Sequence, residues 1–262
     1  GGPMTNTTAN NGRFVWYEQL ATDTKKSIDF YTQVMGWTTE AFKEMNDYVM
    51  WVSAQGPLGG VMKLPDAAAR MGTPPHWMAH VQVENVDTAA AQVKKLGGRV
   101  HKEPADIPTV GRFAIIADPQ GAVLSIFKPN NAMTLHDTSK NGEFCWNELL
   151  TSDSAAAFNF YSQLFGWQKL QDMDMGPMGT YRVFGFGDKQ LGGMMTTPKG
   201  SPMPPMWIYY TEVSDLEPAI GRATKNGAKL MNGPMEVPGG GRIAQLMDFQ
   251  GAAFALHQAP RK

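Results

Sequence analysis

"GRFVWYEQLATD", residues 12–23, returns as "GEFCWNELLTSD", residues 142–153, and the offset of 130 between the two decides the architecture. Over the longer windows 12–37 and 142–167, eleven of 26 positions are identical, including Trp16/Trp146, Glu18/Glu148, "FY" and "GW". Average composition would give about one or two matches. The echo continues in "GGVM" and "GGMM", "PPHW" and "PPMW", Pro104 and Pro234, "GR" at 111 and 241, and "QG" at 120 and 250. A unit of about 120 residues is therefore written twice. Residues 1–11 read as a flexible arm, 12–129 as a first domain, the polar, aperiodic stretch 130–141 as a linker, and 142–262 as a second domain.

Each unit divides again. "FVWYEQLATD" alternates as a strand and ends on a turn-forming Asp. "TKKSIDFYTQVMGW" places Ile28, Tyr31, Val34 and Met35 at helical spacing and stops at Gly36. Short strands follow around residues 48–53 and 58–63, and then the order restarts. "HWMAHVQVENVD" is a strand, "TAAAQVKKLGG" a helix, and "RVHKEP", "RFAIIAD" and "AVLSIFKP" are strands. Strand, helix and three strands thus recur four times, an α+β pattern rather than a doubly wound sheet.

Composition narrows the function. A net charge of -1 gives no electrostatic reason to expect nucleic acid or an acidic membrane as partner. Lone Cys145 excludes an intramolecular disulfide framework and fits a reducing, cytoplasmic setting. No apolar run approaches the roughly 18 residues of a membrane helix, and no charged start leads into an apolar stretch as in a secretory signal. Eighteen Met and seven Trp predict a soft, aromatic-rich interior.

In the "FY…GW" that follows each first strand and the "DPQG" and "DFQG" before each last one, the chain resembles the vicinal oxygen chelate superfamily. That group includes glyoxalase I, bleomycin-resistance proteins and extradiol dioxygenases. The resemblance covers 12–128 and 142–258. More narrowly, "WxEL", "GGMM" and "QGAAFALH" are similar to two-domain members labelled glyoxalase-like or hydroxylase. It implies four βαβββ modules forming two tandem half-barrel domains, each around a cavity with helices outside. It also implies where a divalent metal would be held. Counting from "FY" gives Trp16 and Trp146, counting from the helix-ending glycines gives Met78 and Ile208, and counting from "QG" gives Ser125 and Ala255. The remaining position falls among Gly59, Gly60, Gly192 and Gly193. These residues are poor ligands for a hard or borderline cation, so no cofactor is expected and a divalent metal is disfavoured.

Strand alternation then sorts side chains by face. Phe14, Trp16 and Glu18 should look into the cavity while Val15 and Tyr17 look toward the helices, and Phe144, Trp146 and Glu148 repeat the pattern. Met78, His80 and Gln82 share a face, with Ile208, Tyr210 and Glu212 as counterparts. Ser125 and Phe127 correspond to Ala255 and His257. Glu18 and His80, and Glu148, His257 and Tyr210, are the candidates for plain structural support, for acid–base chemistry, or for a loose two-ligand Glu–His metal site completed by waters. Trp16, Met78, Ser125, Phe127, Trp146, Met195, Ile208 and Ala255 are the candidate ligand wall. His76, His101 and His136 read as surface residues. Arg112 and Arg242 read as strand bridges, and the glycine pairs as sites of a bulge or close backbone approach. "QDMDMGPMGTY", residues 171–181, reads as a flexible loop, either a lid or a packed loop.

Three functions stay open. The first is a binding module for an apolar or aromatic small molecule, monomeric as an internal pseudo-dimer or homodimeric. The second is a metal-independent isomerase or hydroxylation-accessory enzyme of aromatic natural-product metabolism, with Glu18 or Glu148 as base. The third is a metal-dependent lyase or dioxygenase, ranked last for want of ligands. One working site is expected, in the second domain.

Overall fold

The computed structural model describes residues 9–262, so residues 1–8 of the arm lie outside the described residues. The first repeat runs β1 (Phe14–Ala21), α1 (Thr24–Met35), β2 (Thr38–Ala41), β3 (Val49–Ser53), β4 (Gly56–Lys63), a short α2 (Asp66–Arg70), β5 (His76–Gln82), α3 (Val86–Lys95), β6 (Arg99–Ile107), β7 (Gly111–Ala117) and β8 (Val123–Pro129). The second runs β9 (Phe144–Thr151), α4 (Ser154–Phe165), β10 (Gln168–Asp174), β11 (Thr180–Phe186), β12 (Lys189–Thr196), β13 (Met206–Glu212), α5 (Leu216–Lys225), β14 (Lys229–Glu236), β15 (Arg242–Met247) and β16 (Ala253–Gln258). The class is α+β, with four βαβββ modules. Strand order is β2-β3-β4-β1-β5-β8-β7-β6 in one sheet and β10-β11-β12-β9-β13-β16-β15-β14 in the other. Among the described residues no helix is long and apolar enough to cross a membrane.

Local chemistry sets the helix ends. Asp23 and Asp153 cap α1 and α4 by accepting from Lys26 N and Ala156 N, and Gly36 and Gly166 close them in the left-handed region. "QDMDMGPMGTY" is not a flexible loop but the end of a β-hairpin. Met173 pairs with Tyr181 and Asp174 with Thr180, and Gly176–Met178 form a single 3-10 turn at the tip. Ladder bonds on both arms hold it, and Arg182 clamps Asp172 at 2.8 and 3.0 Å.

By contact the chain forms two compact units that do not coincide with the repeats. We name them for their place in the chain. The middle unit comprises residues 9–15, 79–135 and 147–207, and the outer unit comprises 16–78, 136–146 and 208–262. Each unit thus takes one module from each repeat.

The motifs that repeat are the pins of these units. In the outer unit Trp77 Nε1 donates to Tyr31 Oη at 3.0 Å, and Tyr31 donates to Asp248 Oδ2 at 2.7 Å. In the middle unit Trp207 donates to Tyr161 at 3.2 Å, and Tyr161 to Asp118 Oδ2 at 2.7 Å. These are the Trp of "PPHW"/"PPMW", the Tyr of "FY" and the Asp of "DFQG"/"DPQG". The Trp of each "GW" also finds a partner: Trp37 Nε1 donates to the Gly142 carbonyl and Trp167 Nε1 to that of Gly12, both at 2.7 Å. Buried indoles and phenols need such acceptors, and the rings around them each remove about 150–250 Å² from water.

Phe14 departs from the alternation expected of β1. Its ring stacks on Trp167 at 5.4 Å and meets Trp207 edge-on at 5.6 Å, inside the middle unit's aromatic core. Phe144 likewise stacks on Tyr17 at 3.9 Å in the outer unit. The boundary between the units cuts β1 after Val15 and β9 after Trp146, so one strand serves two cores and a single face assignment cannot describe it. At the end of the presumed arm, Asn10 Nδ2 donates to Met133 O at 2.7 Å and Asn11 Oδ1 accepts from Gln82.

Candidate functional site

In both repeats the Trp-x-Glu strand lies beside a glycine pair, and the register explains it. Tyr17 and Glu18 face Gly59 and Gly60 across β1 and β4, and Asn147 and Glu148 face Gly192 and Gly193 across β9 and β12. A Cβ on Gly59 or Gly192 would stand 1.9 or 1.7 Å from the carbonyl oxygen of Tyr17 or Asn147. That is the close backbone approach the sequence suggested. A Cβ on Gly60 or Gly193 would lie within 2.1–2.4 Å of the ring of Tyr48 or Tyr181. The missing side chain is thus the space in which a tyrosine lies flat over the strand.

Each tyrosine ends on the glutamate. In the outer unit Trp16 Nε1 donates to Tyr48 Oη at 2.7 Å, and Tyr48 bonds to Glu18. Burial pushes the Tyr48 phenol well above its usual value and the charge of Glu18 adds to this, so the hydroxyl keeps its proton. The same Glu18 charge acts on His76, whose imidazole is held below its ordinary value mainly by burial. His76 is therefore half-buried near the carboxylate rather than a plain surface residue. In the middle unit Tyr181 Oη donates to Glu148 Oε2 at 2.7 Å, and Glu148 is only 7% exposed. Position 206, the counterpart of His76, is Met206. Tyr48 and Tyr181 escaped the sequence reading because they are 133 residues apart, out of step with the 130 offset. The paired glycines were the signal that could have found them.

The other predicted residues are placed as follows. His80 is buried, opposite Ser125 in the β5–β8 register and edge-on to Phe127 at 5.8 Å, all within the middle unit. Met78, Ile208 and Ala255 are buried, while Trp16, Trp146 and Met195 are half-buried. Tyr210 and His257 share a face of the outer unit, since Tyr210 pairs with Ala255 and Glu212 with His257. Tyr210 Oη accepts from Gln245 at 2.8 Å, and His257 Nδ1 lies 2.5 Å from Glu212 Oε2. Cys145 completes this group: its thiol donates to the Tyr210 carbonyl at 3.5 Å, and burial, with the nearby Glu212 charge adding to it, pushes the thiol well above its usual value. Glu148 belongs to the middle unit.

His136, read as a surface residue, instead bonds through Nδ1 to buried Glu143 Oε2 at 2.9 Å. Glu143 Oε1 also accepts from Gln55 at 2.9 Å and from the Ser53 hydroxyl. Arg112 bridges Asp87 and Asp106, and Arg242 pairs with Glu217, tying helix starts to strands.

Comparison with known proteins agrees with this architecture. The chain is 30% identical over 251 residues to the glyoxylase-named protein CFP32 of Mycobacterium bovis, covering 94% of this chain and 95% of that protein. It is 29% identical over 265 residues to the anthracycline biosynthesis protein DnrV of Streptomyces peucetius, covering 94% and 92%. Among solved structures, a variant of homoprotocatechuate 2,3-dioxygenase from B. fuscum matches with a TM-score of 0.65 at 16% identity, over 95% of this chain and 72% of that one. The Mn(II)-bound glyoxalase from Novosphingobium aromaticivorans matches at 0.61 and 14%, over 95% and 82%. At such identities these two speak for the fold alone. The profile of the Glyoxalase/Bleomycin resistance protein/Dioxygenase superfamily matches twice, at residues 13–126 and 145–256, in step with the duplicated modules, and the chain belongs to that superfamily.

Proposed function

We propose that the chain binds a small apolar or aromatic molecule and does so without a metal at the positions its superfamily uses. The observation that carries this is the donor set at those positions. Trp16 and Trp146 are indoles with no lone pair to offer, and Trp16 Nε1 is spent on Tyr48. Met78 and Ile208 are buried apolar side chains, Ala255 has no donor, and the Ser125 hydroxyl points to Ile126 O at 3.5 Å. This set does not fit a divalent cation. What it offers instead is an indole face next to a carboxylate fixed by a tyrosine, suited to a flat ligand with one polar group. The name of DnrV supports the aromatic reading, anthracyclines being planar fused-ring compounds.

The test is a titration of the full chain with a planar fused-ring quinone, followed by tryptophan fluorescence. Saturable quenching is expected, and Trp16→Ala and Trp146→Ala should reveal which repeat supplies it by abolishing it in one. Quenching that never saturates, or that survives both substitutions, refutes the reading.

A second reading, a metal-independent enzyme, draws on the bond from Tyr181 to buried Glu148, a carboxylate and a phenol joined as a proton-transferring pair. Glu148→Gln keeps the shape and removes the charge. An enzyme would lose about 10²–10⁴-fold in turnover with affinity little changed, whereas a binding module would shift only in affinity.

A further inference from the structure

We propose that Cys145, Glu212 and His257 form a binding site for one divalent cation of the zinc class, at positions other than those the superfamily's metal enzymes use. One ligand atom from each of the three lies within 4.8 Å of the others. In a tetrahedral zinc shell such atoms stand roughly 3.5 Å apart, as the usual bond lengths require. Side-chain shifts of about 1 Å would therefore close the set around an ion. The donors are a sulfur, a carboxylate oxygen and an imidazole nitrogen, a combination that selects zinc or cobalt over magnesium or calcium. A thiolate and a carboxylate also carry the two negative charges that neutralise a divalent ion.

The scaffold holds them in place. They come from β9, β13 and β16, and Glu212 and His257 are direct partners in the parallel register. Ala259 N donates to Glu212 Oε1 at 2.8 Å, which leaves Oε2 turned toward His257 Nδ1. The ring lies over Gly241, where a Cβ would come within 2.5 Å of Nε2, so Nδ1 is the nitrogen turned to the group. The His257 side chain is 26% exposed, which gives an ion a way in and leaves a fourth position for water. The first repeat is an internal control. At the matching positions it has Val15, Gln82 and Phe127, so all three ligand types are peculiar to the second repeat. On binding, the ion would displace the thiol proton to solvent and take the place of the hydrogen bond between His257 and Glu212.

The experiment uses the full chain stripped by a chelator and titrated with cobalt(II) alone, then with zinc. We expect one equivalent, a thiolate-to-cobalt charge-transfer band, and loss of that band on adding zinc. Cys145→Ser should abolish the band. Glu212→Gln and His257→Gln should each weaken binding by at least about 10–100-fold, the loss known for even the outer supports of a metal site. A wild-type protein with no thiolate band at millimolar cobalt overturns the proposal and leaves only the hydrogen bond between His257 and Glu212. So does a Cys145→Ser variant that binds as tightly as wild type. Should the variants not fold, the wild type still decides: zinc must shield Cys145 from a maleimide reagent, and chelation must restore its reactivity. Unchanged reactivity would equally overturn the site. Neither readout requires the small-molecule ligand, so this proposal and the preceding one fail separately.

Discussion

Tyr31→Phe and Tyr161→Phe remove the same hydroxyl from two equivalent pins, yet they should not cost the same. In the middle unit Tyr161 is the hydrogen-bond donor seen on Asp118 Oδ2, while Oδ1 accepts the amides of Gln120, Gly121 and Ala122 at 2.9–3.0 Å. In the outer unit Asp248 Oδ2 also accepts from Gln19 at 3.0 Å and from the Gln250 side chain at 3.3 Å. A hydrogen bond to a charged group contributes about 1.5–3 kcal/mol, and a buried donor left without an acceptor costs about 1–3 kcal/mol. Tyr161→Phe loses the first in full and strands the Trp207 indole, for a total of about 2.5–6 kcal/mol. Tyr31→Phe strands Trp77 in the same way, but the two glutamines cover much of the Asp248 loss, which leaves about 1–4 kcal/mol, below the Tyr161→Phe cost. The phenylalanine ring preserves the edge contacts with Trp207 at 5.5 Å and Trp77 at 5.1 Å, so packing contributes little to the difference. Urea unfolding of both variants, followed by tryptophan fluorescence, gives the comparison through midpoint and slope. Equal losses, or a larger one for Tyr31→Phe, would refute the claim that the number of partners on the aspartate sets the difference.

Two further outcomes follow from the same geometry. Burial holds the Asp118 carboxyl above its ordinary value of 3.8, with Tyr161 and the loop amides pulling the other way. In the window between 3.8 and that raised value the folded state binds more protons than the unfolded, so this group's contribution to stability falls as pH rises. Asp118→Asn should lack that slope, and denaturation curves across the acidic range would show it. Gly193→Ala should push Tyr181 off Glu148 and cost about 1–3 kcal/mol as an overpacked site. An alanine variant as stable as wild type, with ligand binding intact, would show the ring is not confined there.

The sequence carried the modules because their signals are short-range: caps, alternation, glycine stops and an offset that repeats. It also carried the residues of the pins, although not their partners. Tyr31 meets an aspartate 217 residues away and Tyr161 one 43 residues back, and nothing local announces either contact. Phe14 and Phe144 escape simple alternation for a related reason. Alternation assumes that one strand borders one core, and β1 and β9 each border two. His136 and His76 look like ordinary surface imidazoles in the sequence until buried Glu143 and half-buried Glu18 are set beside them.

The duplicated motifs and the chemically suggestive residues are therefore different sets, and the difference has a physical cause. A Trp–Tyr–Asp pin works only if all three members are present, because losing one strands a buried polar group. Both units keep all three. The face bearing Cys145, Tyr210, Glu212 and His257 is under no such constraint, since the first repeat fills the equivalent positions with Val15, His80, Gln82 and Phe127 and folds in the same way. Resemblance at the pins thus reports the scaffold. Function has to be read from the positions where the two repeats disagree. By that criterion the second repeat, with a thiol, a carboxylate and an imidazole gathered within 4.8 Å, is the half in which a new site could arise without cost to the fold.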